Sequence, residues 1–103
     1  MSIISVERLT GDIITILPLH GPTTYLWFEK CTEVGLGCYI GETNETYSLV
    51  TSEGKVLENR TFNKITTVIK ENKLEFDADG LKGKIDAAGF VIMHNMFNDL
   101  NNI

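Results

Sequence analysis

The chain has 103 residues, 43% hydrophobic and 22% charged, with a formal net charge of −5 and two cysteines. That is one domain's length and ordinary globular usage, which excludes a disordered, collagen-like or disulfide-stapled polypeptide. The longest apolar run falls far short of the ~20 residues a membrane-spanning helix needs. Met1-Ser2-Ile3-Ile4 also lacks the basic, apolar, small-residue order of a secretion signal, so the expectation is a cytoplasmic protein, residues 1–103 forming a single domain, with no membrane partner.

Strand formers dominate: eleven Ile, six Val and eleven Thr stand against three Ala and no Gln. Branching at Cβ restricts χ1 and suits a pleated surface. In chain order the predicted strands are Ile3 to Leu9, Asp12 to Leu17, Thr23 to Lys30, Cys38 to Ile40 and Thr46 to Ser52. Lys55 to Phe62, Lys64 to Glu71, Lys73 to Asp77, Leu81 to Asp86 and Phe90 to His94 follow. Turn-forming clusters separate them: Thr10-Gly11-Asp12, Pro18 to Pro22, Gly35 to Gly37, Gly41 to Glu45, Glu53-Gly54, Glu71-Asn72, Ala78-Asp79-Gly80 and Ala87-Ala88-Gly89. Gly and Asn there supply the positive φ of tight hairpins. Asn44 and Asn59 head Asn-x-Thr sequons but read as turn residues. Short strands at this spacing predict an all-β fold, an antiparallel meander closed as a small barrel or folded as a sandwich.

The faces of these strands differ. Lys73 to Asp77 and Leu81 to Asp86 alternate cleanly, with Leu74, Phe76, Leu81 and Ile85 on one side and charges on the other, as in a sheet with one wet face. In Thr23 to Lys30, Leu26 and Phe28 point one way while Tyr25 and Trp27 point the other. Both faces are apolar or aromatic, so the back is covered by another part of the chain or by a partner. At the C-terminus Met93, Met96, Phe97 and Leu100 recur at helical spacing among asparagines, which supports at most one short helix. That stripe would cap a barrel, or serve as a Met-rich docking or dimerisation surface. A homodimer would form through it or through an edge strand.

Charge is unevenly placed. Residues 1–54 hold seven acids against Arg8 and Lys30, whereas residues 55–103 hold seven acids against seven bases, so the whole excess lies in the first half. Such a field attracts a basic partner and repels nucleic acid and anionic membrane. Only two arginines are present, and Tyr25, Trp27, Phe28, Tyr39 and Tyr47 lie in the acidic half, which argues against a nucleic-acid surface.

Motifs that carry chemistry are missing. His20 and His94 have no ligand at metal spacing, and Cys31 and Cys38 do not make a CxxC pair and read as unbridged thiols. Gly35-Leu36-Gly37 has no following helix pattern for a phosphate loop. Asp77-Ala78-Asp79-Gly80 opens like a calcium loop, but Leu81 and Ala88 stand where later ligands belong, so a hairpin turn is expected. No catalytic, cofactor or metal site is expected, and the chain is not read as an enzyme.

The leading expectation is a small acidic protein-binding module of inhibitor, immunity or adaptor type that docks on a basic protein surface. Tyr25, Trp27 and Tyr47 would be its anchors and Glu29, Glu33, Glu42 and Glu45 would steer the approach. The alternative is a small-ligand barrel whose cavity the same aromatics line. The first places Trp27 outside, the second inside.

Overall fold

A computed structural model of the chain describes residues 3–8, 11–16 and 22–94. The strands are β1 (Ile3–Arg8), β2 (Asp12–Ile16), β3 (Thr24–Phe28), β4 (Lys30–Gly35), β5 (Cys38–Thr43), β6 (Thr46–Val50), β7 (Ile65–Lys70), β8 (Lys73–Ala78), β9 (Leu81–Ile85) and β10 (Val91–His94). They form three antiparallel sheets, in the orders β1-β2-β3, β4-β5-β6 and β10-β9-β8-β7. Sequence neighbours pair throughout, so each sheet is a meander. The β-dominated fold that composition predicts is observed, but no closed barrel forms among the described residues. The only helical element there is a 3₁₀ turn at Leu57–Asn59. The expected C-terminal helix, with Met96, Phe97 and Leu100, lies outside the described residues, as do the Pro18 to His20 part of one expected turn and the side chains of Met93 and His94.

Alternation in the middle sheet places the core. Lys30 pairs with Glu42 and Cys31 with Gly41, while Gly41 pairs with Ser48 and Tyr39 with Val50. Cys31, Gly41, Ser48 and Val50 therefore share one face, and Cys38, Ile40 and Leu49 share the other. The first face joins Ile14, Ile16 and Phe28 of the first sheet in one apolar cluster. The second joins Leu57, Phe62, Leu74, Phe76, Ala78 and Ile85 in another. One sheet thus serves two cores, and β6 sends consecutive residues, Leu49 and Val50, into different ones. The two cysteines are buried on opposite faces of the middle sheet and are not bridged to each other.

Four two-residue loops have positive φ at both central positions: Leu36-Gly37, Asn44-Glu45, Glu71-Asn72 and Asp79-Gly80. That is the twist an antiparallel hairpin requires. Asn44 and Asn59 are both turn residues, with φ of 51° and 52°. The Asp77 to Gly80 letters make a turn: the Gly80 N–H donates to Asp77 Oδ1 at 2.9 Å. Asp79 accepts from the N–H groups of Asn63 and Lys64 at 2.8 and 3.0 Å. Their carboxylates cap backbone.

Three expectations are corrected. The strand expected over Thr23 to Lys30 breaks at Glu29 and continues as β4, because the Glu29 N–H donates to the Glu42 carbonyl at 2.9 Å while Lys30 also stands opposite Glu42. Two residues against one make a bulge, which bends the strand from the first sheet into the middle one. Of the turn expected over Gly41 to Glu45, Asn44-Glu45 forms it, while Gly41 to Thr43 belong to β5. A Cβ at Gly41 would lie 2.4 Å from Phe28 Cγ, so this glycine makes room for a ring. Finally, Lys55 to Phe62 is no strand. Its backbone meets β6 in isolated bridges at Val50–Val56 and Tyr47–Phe62, and between them turns through Glu58 and Asn59 with positive φ.

Candidate functional site

The register of β2 against β3 sets the outer face of the first sheet. Ile13 pairs with Trp27 and Thr15 with Tyr25, while Ile14 pairs with Leu26 and Asp12 with Phe28. Phe28 and Ile14 turn into the core, so period-two alternation turns Tyr25 and Trp27 outward. Tyr25 is 67% exposed and Trp27 50%. Trp27 leans on the chain at Gly11, where a Cβ would stand 2.7 Å from its Nε1.

β3 is an edge strand, paired with β2 alone among the described residues. At its foot the Glu29 carboxylate accepts from the Asn44 N–H at 2.7 Å, drawing the β5–β6 turn alongside. Glu45, exposed, is the next residue of that turn. The acids at the end of the aromatic strand are placed by one side chain gripping a turn fifteen residues later.

The remaining expected residues are placed elsewhere. Glu42 stands between Lys30 and Tyr47 in the register, on the face of the middle sheet turned away from Phe28. Its charge is partly offset by Lys30. Tyr47 is half-buried and exchanges backbone bonds of 2.8 and 2.7 Å with Phe62, which makes it a joint between β6 and the following segment. Glu33 stands opposite Tyr39, three residues beyond Lys30 along β4, or about 10 Å away. Burial, and then the neighbouring Glu33 carboxylate, raise the Tyr39 phenol above its ordinary pKa. The structure thus puts Tyr25 and Trp27 on one outer face, ties the Glu29 side chain to the turn that carries Glu45, links Glu42 to Glu29 through the backbone alone, and places Glu33 and Tyr47 on the middle sheet.

Sequence reasoning missed Asp12. It is 4% exposed, and its Oδ2 accepts the Cys31 N–H at 2.7 Å, tying the start of β2 to the start of β4. The only signal was an acid beginning an apolar strand, which reads as a turn residue.

A second feature is a shallow groove of about 480 Å³ on the outer face of the third sheet, lined by Thr66, Val68, Glu75, Asp77, Lys82 and Lys84. Lys82 lies 3.8 Å from Asp77 and Lys84 3.9 Å from Glu75. These exposed pairs neutralise one another and leave the groove without a net field. Among the described residues no three His, Cys, Asp or Glu side chains gather as a metal site, and no helix is long and apolar enough to cross a membrane. The chain matches no protein-family model, no curated protein and no solved structure.

Proposed function

We propose that this chain is a non-catalytic binding module of the inhibitor, immunity or adaptor kind, which docks on a basic protein surface through the outer face of β3. The observation that carries the reading is the joint exposure of Tyr25 and Trp27 on one face of an edge strand. Large amphipathic rings of this kind anchor interfaces, because they bury much area while immobilising few torsions. Glu29 and Glu45 at the foot of the strand give the patch its sign and hence its partner's. Acids near an interface act on the approach more than on the bound state. The reading places the protein in the cytoplasm, where thiols such as Cys31 and Cys38 remain reduced.

The test begins with stability. Trp27→Ala and Tyr25→Ala should each leave the unfolding free energy within about 1 kcal/mol of the parent, since both rings are half or more in solvent. A partner captured from the source cell should then bind Trp27→Ala more than about 2 kcal/mol more weakly, as loss of a central aromatic anchor does. Unfolding of Trp27→Ala, with affinity unchanged in the folded fraction, would make Trp27 a packing residue and end the proposal.

A further inference from the structure

We infer that the edge of β3 left unpaired among the described residues accepts an extended basic segment of the partner as an added antiparallel strand. This rests on the docking reading above and names its mode. An edge strand presents a row of backbone N–H and C=O groups, and pairing them with a peptide is a recurrent way of binding one.

The other edges are better protected. At β4 the Cys31 N–H is taken by Asp12. β7 ends in Lys70, and its Ile69 packs against Gly35 of β4, where a Cβ would lie 2.9 Å from Ile69 Cδ1. β6 is bridged by Val56 and Phe62. β10 is apolar and exposed at Val91 and Ile92, but its sheet is charge-balanced by the two Lys–Asp/Glu pairs and gives a partner no sign. Among the described edges, β3 combines an uncharged strand, Thr-Tyr-Leu-Trp-Phe, with an acid, Glu29, at its foot.

Charge and direction together describe the occupant. The first sheet is antiparallel throughout, and an antiparallel addition continues it with perpendicular hydrogen bonds. A strand added that way starts at the Phe28 end, beside Glu29 and the turn that carries Glu45, and finishes beside Thr24. Its basic residues therefore belong at its N-terminal end. Every second side chain would lie beside Tyr25 and Trp27 on the outer face, within the ~5 Å of cross-strand neighbours.

The experiment titrates the whole chain with a capped synthetic peptide of about eight residues, two Lys followed by alternating Val and Thr, read by the fluorescence of Trp27, the sole tryptophan. Two further peptides carry N-methyl groups on one or the other alternate set of residues. In an added strand only one set turns its N–H toward β3. The expected result is that one methylated peptide binds at least about tenfold more weakly while the other matches the parent peptide. Equal binding by all three, or equal loss in both methylated forms, overturns strand addition. Absence of binding by the parent peptide does so too. In each of those cases a captured partner that still needs Trp27 leaves the docking reading standing, and one that does not removes both.

Discussion

At the residue scale, glycines with different reasons for being glycine should respond differently. Gly41→Ala forces a methyl into the Phe28 ring, so a loss of about 2–3 kcal/mol is expected in urea unfolding, the usual range for overpacking a filled core. Gly80→Ala meets open space, and only its φ of +91° resists, so about 1 kcal/mol is expected. Titration offers a second test. Burial raises the Cys38 thiol, although a bond from the Ser52 backbone partly opposes it, and Tyr39 is raised for the reasons given above. At neutral pH both groups are protonated in folded and unfolded chains alike, so their contribution is constant. Above about pH 9 the unfolded chain releases these protons first, and stability falls as pH climbs toward the raised folded values. The melting temperature should therefore drop between about pH 8 and 10.5, and the combination of Cys38→Ala with Tyr39→Phe should flatten that slope. An unchanged slope would mean that neither Cys38 nor Tyr39 carries the alkaline loss.

At the scale of elements, the bend at Glu29 does two things. It passes one strand from the first sheet to the middle sheet, and it sets the acids at the end of the aromatic strand. Glu29→Gln keeps a carbonyl oxygen for the Asn44 N–H while removing the charge. Glu29→Gln combined with Glu45→Gln should thus slow association with a basic partner, flatten its salt dependence and leave dissociation nearly unchanged. Glu42→Gln should have a smaller effect, because Glu42 stands opposite Lys30 on another face. Stopped-flow association at two salt concentrations separates these outcomes. An equal effect from Glu42→Gln would mean that the general field of the acidic half does the steering, not the foot of β3.

For the whole molecule, the middle sheet is the consequential element, since both cores need it. If it couples them, a change in one core must be felt in the other. Leu49→Ala, in the core shared with the third sheet, should destabilise by about 2–5 kcal/mol. The unfolding transition seen by Trp27, which sits in the first sheet, should move with it and coincide with the far-ultraviolet circular dichroism transition. Ile14→Val, in the other core, should shift the same single transition by about 1 kcal/mol. A Trp27 transition that ignores Leu49→Ala would show that the first sheet unfolds by itself.

What the sequence determined by itself was local. β-branched composition and turn chemistry are enough for antiparallel strands, for the Glu71-Asn72 and Asp79-Gly80 hairpins, and for the alternation of Leu74 and Phe76 against Glu75 and Asp77, because each depends on neighbours a few residues away. The same letters misled where a residue answers to something distant. Gly41 read as a turn because nothing nearby reveals the Phe28 ring, and Asp12 read as a turn acid because its partner, Cys31, is nineteen residues away. The two-faced character of Thr-Tyr-Leu-Trp-Phe was legible, but whether Tyr25 and Trp27 are inside or outside was not. That depends on which sheet stacks on which face, a matter of long-range packing that periodicity leaves open. Tertiary structure decided it by giving both faces of β4-β5-β6 to cores and only one face of β1-β2-β3. It likewise sorted the acids, tying Glu29 to the turn that carries Glu45 through one hydrogen bond while putting Glu42 and Glu33 on strands of the middle sheet, since a sheet converts a shift of one residue into a change of face.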